Sequence, residues 1–380
     1  MSGIYLHVPF CRTACNYCDF HFSTSLRNIE AYVESVVSEI SIRAKRWDNT
    51  EFNTLYLGGG TPSVLKKSQL QKIVGAIRKN LNCASGWDEA TIEVNPEDVS
   101  AEALEGWIEC GFDRISIGIQ SLDDEQLEWM NRKHSAVEAI NAVCLARKAG
   151  FEKISVDLIY GIPFRSENSW GQTVKEALDM QIDHISCYAL TIEPKTVLGS
   201  WVKKSHVKEA PDKLIEADYT FLCDESLKAG FNHYEVCNWA RGDVNKAVHN
   251  SSYWFGAPYL GLGPGAHGFN ASNRYSVVSN NNKYIDSIKR GVLPDTIEEL
   301  SRFDRSNEVL MTGLRTAVGI DFSELKETWG VDHIGSNPQQ WKKWIEAGAI
   351  TESKNGRHRI AEEFWLVGDS ISSDLIVLQS

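Results

Sequence analysis

Short β-branched runs recur along the first half of the chain, at Ile4–Val8, Thr54–Leu57, Thr91–Val94, Arg114–Ile119, Ile154–Leu158 and His184–Leu190, and each reads as a strand. Between them lie stretches with apolar positions at helical spacing, including Asn28–Arg46, Lys67–Leu81 and Ala136–Ala149. Strand and helix in alternation imply a parallel sheet. Gly111, Gly150 and Gly230 each follow a helical run and precede a Phe. This pattern suits a left-handed residue just past the helix end, with the next apolar side chain folding back onto the last turn. The expected fold class is therefore α/β: a curved six-stranded barrel fragment, with a flat doubly wound sheet as the alternative that pattern alone leaves open.

The pattern then changes. Asn232–Asn273 is rich in Gly, Asn and aromatic residues and reads as an irregular connecting region with a functional composition. Helical spacing returns over Ile297–Thr316, Phe322–Trp329 and Gln339–Ala347, followed by a short hairpin with Asn355-Gly356 at its turn. Three helices and a hairpin resemble a winged-helix module. The expected division is a barrel over 1–232, a connecting region over 233–296 and a small helical domain over 297–380.

Hydrophobic residues make up 42% and charged residues 24%, as in soluble globular proteins, and no apolar run approaches a membrane span. The first residues show no secretory pattern, so the cytoplasm is the expected compartment. A net charge of -12 argues against a nucleic-acid backbone as principal partner. Nine cysteines in a reducing compartment read as ligands, catalysts or small buried hydrophobes before disulfides.

Three of those cysteines cluster, as Cys11-x-x-x-Cys15-x-x-Cys18, directly after the first strand. Thiolates match iron, and a four-iron cubane held by three sulfurs keeps one iron open. The amino and carboxylate groups of S-adenosylmethionine can chelate that iron, placing the sulfonium for one-electron reduction. The competing reading is a structural zinc site with His21 as fourth ligand, although zinc favours paired Cys-x-x-Cys knuckles. Polar residues at other strand ends favour a common ligand: Glu93, Gln120, Asp157 and the Gly58-Gly59-Gly60-Thr61-Pro62 turn, each of which alone could be an ordinary cap or loop residue.

Tyr5-x-His7-x-Pro9-Phe10-Cys11-x-x-x-Cys15-x-Tyr17-Cys18, the glycine turn and Arg114-x-Ser116-x-Gly118-x-Gln120-Ser121 together resemble the oxygen-independent coproporphyrinogen III oxidase family of radical-SAM proteins. The resemblance covers nearly the whole chain. It implies a partial (β/α)6 barrel with a small C-terminal helical, winged-helix-like domain. It implies that Cys11, Cys15 and Cys18 hold a [4Fe–4S] cluster with Tyr17 beside it. It further implies that Tyr5, Gly60, Thr61, Glu93, Gln120, Arg132 and Asp157 contact S-adenosylmethionine.

Two features depart from the decarboxylating oxidase of that family: Phe20 stands where the enzyme has a further cysteine, and only ten residues precede Cys11. A third points elsewhere. His249-Asn250-Ser251-Ser252-Tyr253-Trp254 resembles the His-Asn-x-x-Tyr-Trp motif of the family's haem chaperone branch, in which the histidine is implicated in haem binding. A neutral imidazole suits haem iron, and Tyr253, Trp254 and Phe255 offer aromatic cover. Composition alone would make His249 a loop histidine beside core aromatics. His267, in Gly261–Gly268, is assigned no role.

The function implied is a haem chaperone that binds the cluster, S-adenosylmethionine and haem, and passes haem to haem-requiring client proteins. A one-electron donor is needed if S-adenosylmethionine is cleaved. The alternatives are oxidative decarboxylation of coproporphyrinogen III and a radical enzyme acting on an unrelated substrate.

Overall fold

The computed structural model describes residues 1–166 and 168–379. Six strands, β1 (Gly3–Val8), β2 (Thr54–Gly59), β3 (Glu89–Val94), β4 (Arg114–Gln120), β5 (Lys153–Tyr160) and β6 (His184–Ala189), pair in parallel in chain order. The helices between them are α1 (Ile29–Ala44), α2 (Lys67–Asn80), α3 (Ala101–Glu109), α4 (Asp124–Trp129), α5 (Ala136–Ala149) and α6 (Ser169–Asp179). The expected strand and helix order is the observed one.

These strands do not read as the continuous apolar runs of an ordinary parallel sheet. One face carries Ile4, Leu6 and Val8, Ile92 and Val94, Ile115, Ile117 and Ile119, and Ile154, Val156 and Leu158, all buried. The alternate positions hold polar groups: Thr91 and Glu93, Arg114 and Ser116, Ser155 and Asp157, His184 and Ser186. Side chains two apart share a face, so the apolar set packs under the helices and the polar set lines a lumen. A polar lumen makes a ligand cavity where an apolar one would make a core.

The helix ends behave as their sequence implies. Ser135 and Glu138 form a reciprocal capping box that starts α5. Gly150 ends it at φ 104°, and the Phe151 amide bonds back to the Ala146 carbonyl at 3.2 Å. Phe112 on Trp107 and Phe231 on Ser226 repeat this return bond.

Beyond β6, α7 (Val197–Lys203) and α8 (Asp212–Lys228) lead to β7 (Asn232–Glu235) and β8 (Asn238–Ala240). Then follow α9 (Val248–Trp254), β9 (Tyr259–Leu262), β10 (His267–Phe269), β11 (Asn273–Val277), α10 (Asn281–Lys289) and β12 (Asp295–Glu299). Here the expectation of an irregular connection is corrected. β8 and β7 add antiparallel to β6, while β9 pairs parallel with β1 and continues into β10, β11 and β12, giving one twelve-stranded sheet among the described residues. The strands are short and glycine-rich because they pass close to one another: a Cβ on Gly261 would lie 1.8 Å from the His267 carbonyl oxygen.

The helix expected from Ile297 begins later. Residues 295–299 form β12 against β11, and α11 (Arg302–Gly313) starts after Ser301, whose hydroxyl and backbone exchange hydrogen bonds with Asp304. The cap overrides the apolar spacing. α12 (Phe322–Trp329), the one-turn α13 (His333–Ser336) and α14 (Pro338–Glu346) precede the hairpin of β13 (Ile350–Glu352) and β14 (His358–Ile360), with Gly356 at φ 78°. A final α15 (Gly368–Ser373) packs beside α11. This is the expected small helical segment with its hairpin.

Candidate functional site

The loop after β1 is fixed from several directions. Cys11 N–H donates to Ser23 O at 3.1 Å, and Asn131, at φ 62°, reaches Ala14 O with its side-chain amide at 2.7 Å. Asn16 bonds to Trp129 O at 2.6 Å and Met130 O at 3.2 Å, so the end of α4 holds the loop's middle.

The three cysteines line one cavity of about 480 Å³ at the C-terminal edge of the strands. Thr61 Oγ1 donates to Cys11 Sγ at 3.3 Å and Arg132 Nη1 to Cys15 Sγ at 3.5 Å. Burial pushes the Cys11 thiol up to about 11 and the Cys18 thiol up to about 12. Such thiols ionise when a cation replaces their protons. The three sulfurs do not all gather within 4.8 Å of one another, the closeness that ligands of a single ion show. His21 lies outside this cavity and bonds through Nε2 to Asn281 at 2.7 Å. Both observations disfavour the zinc reading.

The lumen beneath the loop carries the carboxylates. Glu93 accepts from the Tyr56 hydroxyl at 2.6 Å and from Gly59 N–H at 3.1 Å. Burial first, then the nearby Asp157 charge, raises its pKa to about 7 against those two hydrogen bonds. Asp157, raised to about 6 by burial, accepts from Ser116 Oγ at 3.0 Å. Arg132 spans the site: its Nη2 donates to Gly118 O at 2.6 Å and Asn95 Oδ1 at 2.8 Å, while Nε has no protein partner. Gln120 holds φ 64° at a bulge in β4, an uncommon conformation for a side-chain-bearing residue. Gly60 must be glycine, because a Cβ there would stand 2.6 Å from the Val8 carbonyl that receives its own amide.

Cys11, Cys15, Cys18, Tyr17, Gly60, Thr61, Glu93, Gln120, Arg132 and Asp157 are thus brought together around one cavity. Two expected residues are not. Tyr5 sits one strand over, stacked on Tyr56 at 6.1 Å with its hydroxyl 3.1 Å from His7 Nδ1, because its position on β1 is covered by Tyr56. His249 lies at the opposite end of the barrel, where α9 plugs the floor. Its Nδ1 is 2.8 Å from the Thr54 hydroxyl and its Nε2 is 2.7 Å from the Tyr253 hydroxyl, so both ring nitrogens are engaged. Burial lowers its pKa to about 3. His249, which the resemblance implies for haem binding, has its ring fully enclosed here, with Tyr253 and Trp254 half-buried and Phe255 exposed. Glu89 anchors the helix by accepting from Val248 N–H at 2.9 Å and His249 N–H at 3.0 Å. Asn250 and Ala247 close the cavity from below.

Tyr56, Asn95, Thr91, Arg114, His184 and Ser186, which the sequence left without a role, also line the cavity. Their signal was present as polar residues at every second position of buried strands.

Relatives of this chain agree with that architecture. The Radical SAM superfamily profile matches residues 5–177. A Bacillus subtilis protein named heme chaperone HemW is 31% identical over 358 residues, covering 93% of this chain and 94% of the relative. The chain belongs to the HemW family of radical-SAM proteins. A Mycobacterium tuberculosis HemW is 32% identical over 85% of this chain and 84% of its own length, and a Synechocystis HemW is 32% identical over 85% and 80%. The solved structure of the Escherichia coli coproporphyrinogen III oxidase HemN superposes with a TM-score of 0.83 at 20% identity, covering 99% of this chain and 90% of that one. The radical-SAM family implies a [4Fe–4S] cluster and S-adenosylmethionine. The residues present fit: three thiols with two sulfur-directed donors, buried carboxylates beneath them and an unpartnered Arg132 Nε. Among the described residues no helix is long and apolar enough to cross a membrane.

Proposed function

We propose that the chain is a cytoplasmic haem-binding chaperone that carries a [4Fe–4S] cluster on Cys11, Cys15 and Cys18, binds S-adenosylmethionine and delivers haem to haem-requiring proteins. In this reading Thr61 and Arg132 hold the thiolates by hydrogen bonding. Gly60, Gln120, Glu93 and Asp157 frame the S-adenosylmethionine, the carboxylates meeting its cationic groups, with Tyr17 beside the cluster. When bound, the cluster supplies one-electron chemistry to the sulfonium. The reading is carried by the family: relatives named heme chaperone HemW match this chain over most of both lengths.

The cavity itself weakens the decarboxylase alternative. A tetracarboxylate substrate calls for free cationic anchors. The cationic side chains lining the described cavity are Arg114 and Arg132, two for four carboxylates, and each already serves protein partners while one nitrogen, Arg114 Nη2 and Arg132 Nε, stays unpartnered. Arg132 serves Cys15, Asn95 and Gly118, while Arg114 lies 3.6 Å from buried Glu89 and donates to Asn245 O at 3.1 Å. Phe20 stands exposed at the mouth, where the oxidase has a further cysteine.

Anaerobically reconstituted full-length protein, titrated with haem and assayed for conversion of coproporphyrinogen III to protoporphyrinogen IX, tests the proposal. A saturable Soret shift without turnover supports it. Turnover at enzyme-like rates replaces it with the oxidase, and neither activity leaves a radical enzyme on another substrate.

A further inference from the structure

Away from the cluster loop, a second set of ligating side chains meets where the last segment of the chain packs against the edge of the sheet. Cys223 on α8, His233 on β7 and Glu362, just after β14, bring one ligand atom each to within 4.8 Å of one another. Two of them address the same ring nitrogen: Cys223 Sγ is 3.8 Å and Glu362 Oε1 2.6 Å from His233 Nδ1. The other nitrogen, Nε2, faces the Val236 carbonyl at 3.4 Å. The carboxylate and the carbonyl both only accept, and the shorter contact puts a ring proton on Nδ1, between the imidazole and Glu362, where a metal ion would displace it. Three electron-pair donors converging on one point call for a shared cation.

The imidazole is held for this. Its face stacks on Trp239 at 4.0 Å and 13°, and it meets Trp365 at 4.3 Å and 76°. The backbone carbonyl on its far nitrogen is the outer contact that metal-bound histidines ordinarily make. Glu362, half exposed at 51%, leaves a path to solvent.

We propose that Cys223, His233 and Glu362 form a site for a divalent cation of zinc's borderline softness, with water as the fourth ligand, joining the end of the chain to α8 and β7. The donor set decides the class: thiolate and imidazole exclude the all-oxygen shells of calcium and magnesium and match zinc. Tetrahedral zinc sets sulfur and nitrogen about 3.6 Å apart and nitrogen and oxygen about 3.4 Å apart. The sulfur is in place at 3.8 Å. Glu362 has to withdraw by less than about 1 Å, and as a half-exposed side chain it is free to do so. The cluster cysteines belong to another cavity, so the two sites can be loaded separately.

The test uses full-length protein with its cluster already assembled, so that Cys11, Cys15 and Cys18 are occupied before Zn²⁺ or Co²⁺ is added. Wild type should retain one zinc per chain after desalting, and Co²⁺ should give a thiolate-to-metal charge-transfer band. Cys223→Ala should lose the band and the zinc while keeping its iron. Glu362→Gln should weaken zinc binding about tenfold or more. No zinc retained by wild type, or equal retention and an unchanged cobalt spectrum in Cys223→Ala, overturns the site. Should Cys223→Ala misfold, as loss of iron and of far-UV dichroism would reveal, Glu362→Gln decides alone, because unchanged zinc affinity at that half-exposed position overturns it too.

Discussion

Tyr56 donates a 2.6 Å hydrogen bond to Glu93 from a ring that stacks 5.1 Å from His249, so one side chain touches both the cavity carboxylate and the helix that plugs the barrel floor. Glu93 is thereby held between two influences. Burial favours its neutral form, and the Tyr56 hydroxyl favours the charged one.

Cofactor affinity should consequently depend on pH. Glu93 holds a proton up to about pH 7 in the free protein. A ligand bearing ammonium and sulfonium groups prefers the carboxylate and lowers that pKa, so affinity is full above it and falls as pH drops through it. The loss approaches about tenfold per unit until the bound-state pKa is reached. Calorimetric titration of S-adenosylmethionine between about pH 6 and 8 reads this directly. Glu93→Gln should flatten the profile and cost about 1.5–3 kcal/mol at high pH. Tyr56→Phe should move the inflection upward, because it removes a bond that stabilises the charge. A level profile in wild type would remove Glu93 from the cofactor's contacts.

Arg132 should tune the cluster. Its guanidinium donates to Cys15 Sγ and is itself fixed by Gly118 and Asn95. Hydrogen bonds and positive charge near cluster sulfurs raise the reduction potential. Arg132→Gln should therefore leave about four irons per chain, the number a cubane holds, yet shift the potential to a more negative value in spectroelectrochemical titration. Cys15→Ala should abolish cluster iron altogether. An Arg132→Gln potential equal to that of wild type would show that the contact to sulfur carries no electrostatic weight.

The parallel strands, their helices and the three helix-ending glycines were legible because each rests on local rules: alternation, capping and the left-handed freedom of glycine. Cys11, Cys15 and Cys18 were legible because their spacing is itself the chemistry. The strands from β7 to β12 were not, since this stretch becomes sheet through β8 joining β6 and β9 joining β1, partners that no local window contains, with β7 and β10 to β12 adding onto them. The same limit governed His249. Its motif reads as a haem-binding histidine with aromatic neighbours and carries no signal of burial, whereas Gly3, Thr54 and Glu89 at the strand starts leave room and hydrogen bonds for α9 to enter the floor. Tyr5 lies on the first strand as expected, but Tyr56, its partner on β2, stacks against it and stands between it and the cavity lining.

Burial also sets a stability prediction. Arg43, 2% exposed, pairs with Glu39 at 2.7 Å and with both oxygens of Asp295 at 2.6 and 2.9 Å, joining α1 to β12. Arg43→Met would strand two buried carboxylates and should cost about 3–5 kcal/mol, seen as a lower urea midpoint at unchanged slope. A change under about 1 kcal/mol would place this network among pairs whose desolvation cancels their attraction.

Haem binding is the prediction on which the proposed function turns, and the enclosure of His249 shapes how it must be tested. Both ring nitrogens are hydrogen-bonded inside the barrel floor, so ligating iron through this residue requires α9 to leave its seat and release Thr54 and Tyr253. His249→Ala removes two buried hydrogen bonds and leaves a void, and should lower stability by about 2–4 kcal/mol whatever its role in haem binding. Loss of the Soret shift in that variant is meaningful only with the unfolding curve beside it. The informative comparison adds haem to wild type, His249→Ala and His267→Ala at a temperature where all three are folded, with iron content as the common control. His267 is exposed at the start of β10, so replacing it should leave stability unchanged. If α9 opens to receive haem, His249→Ala alone loses the shift, and haem should protect wild type less at the floor by making the amides of α9 exchange faster. If His267→Ala alone loses the shift, the iron is held by an exposed histidine of the β9–β10 edge and His249 is a structural plug. Haem binding undiminished in both variants would remove both histidines as the axial ligand.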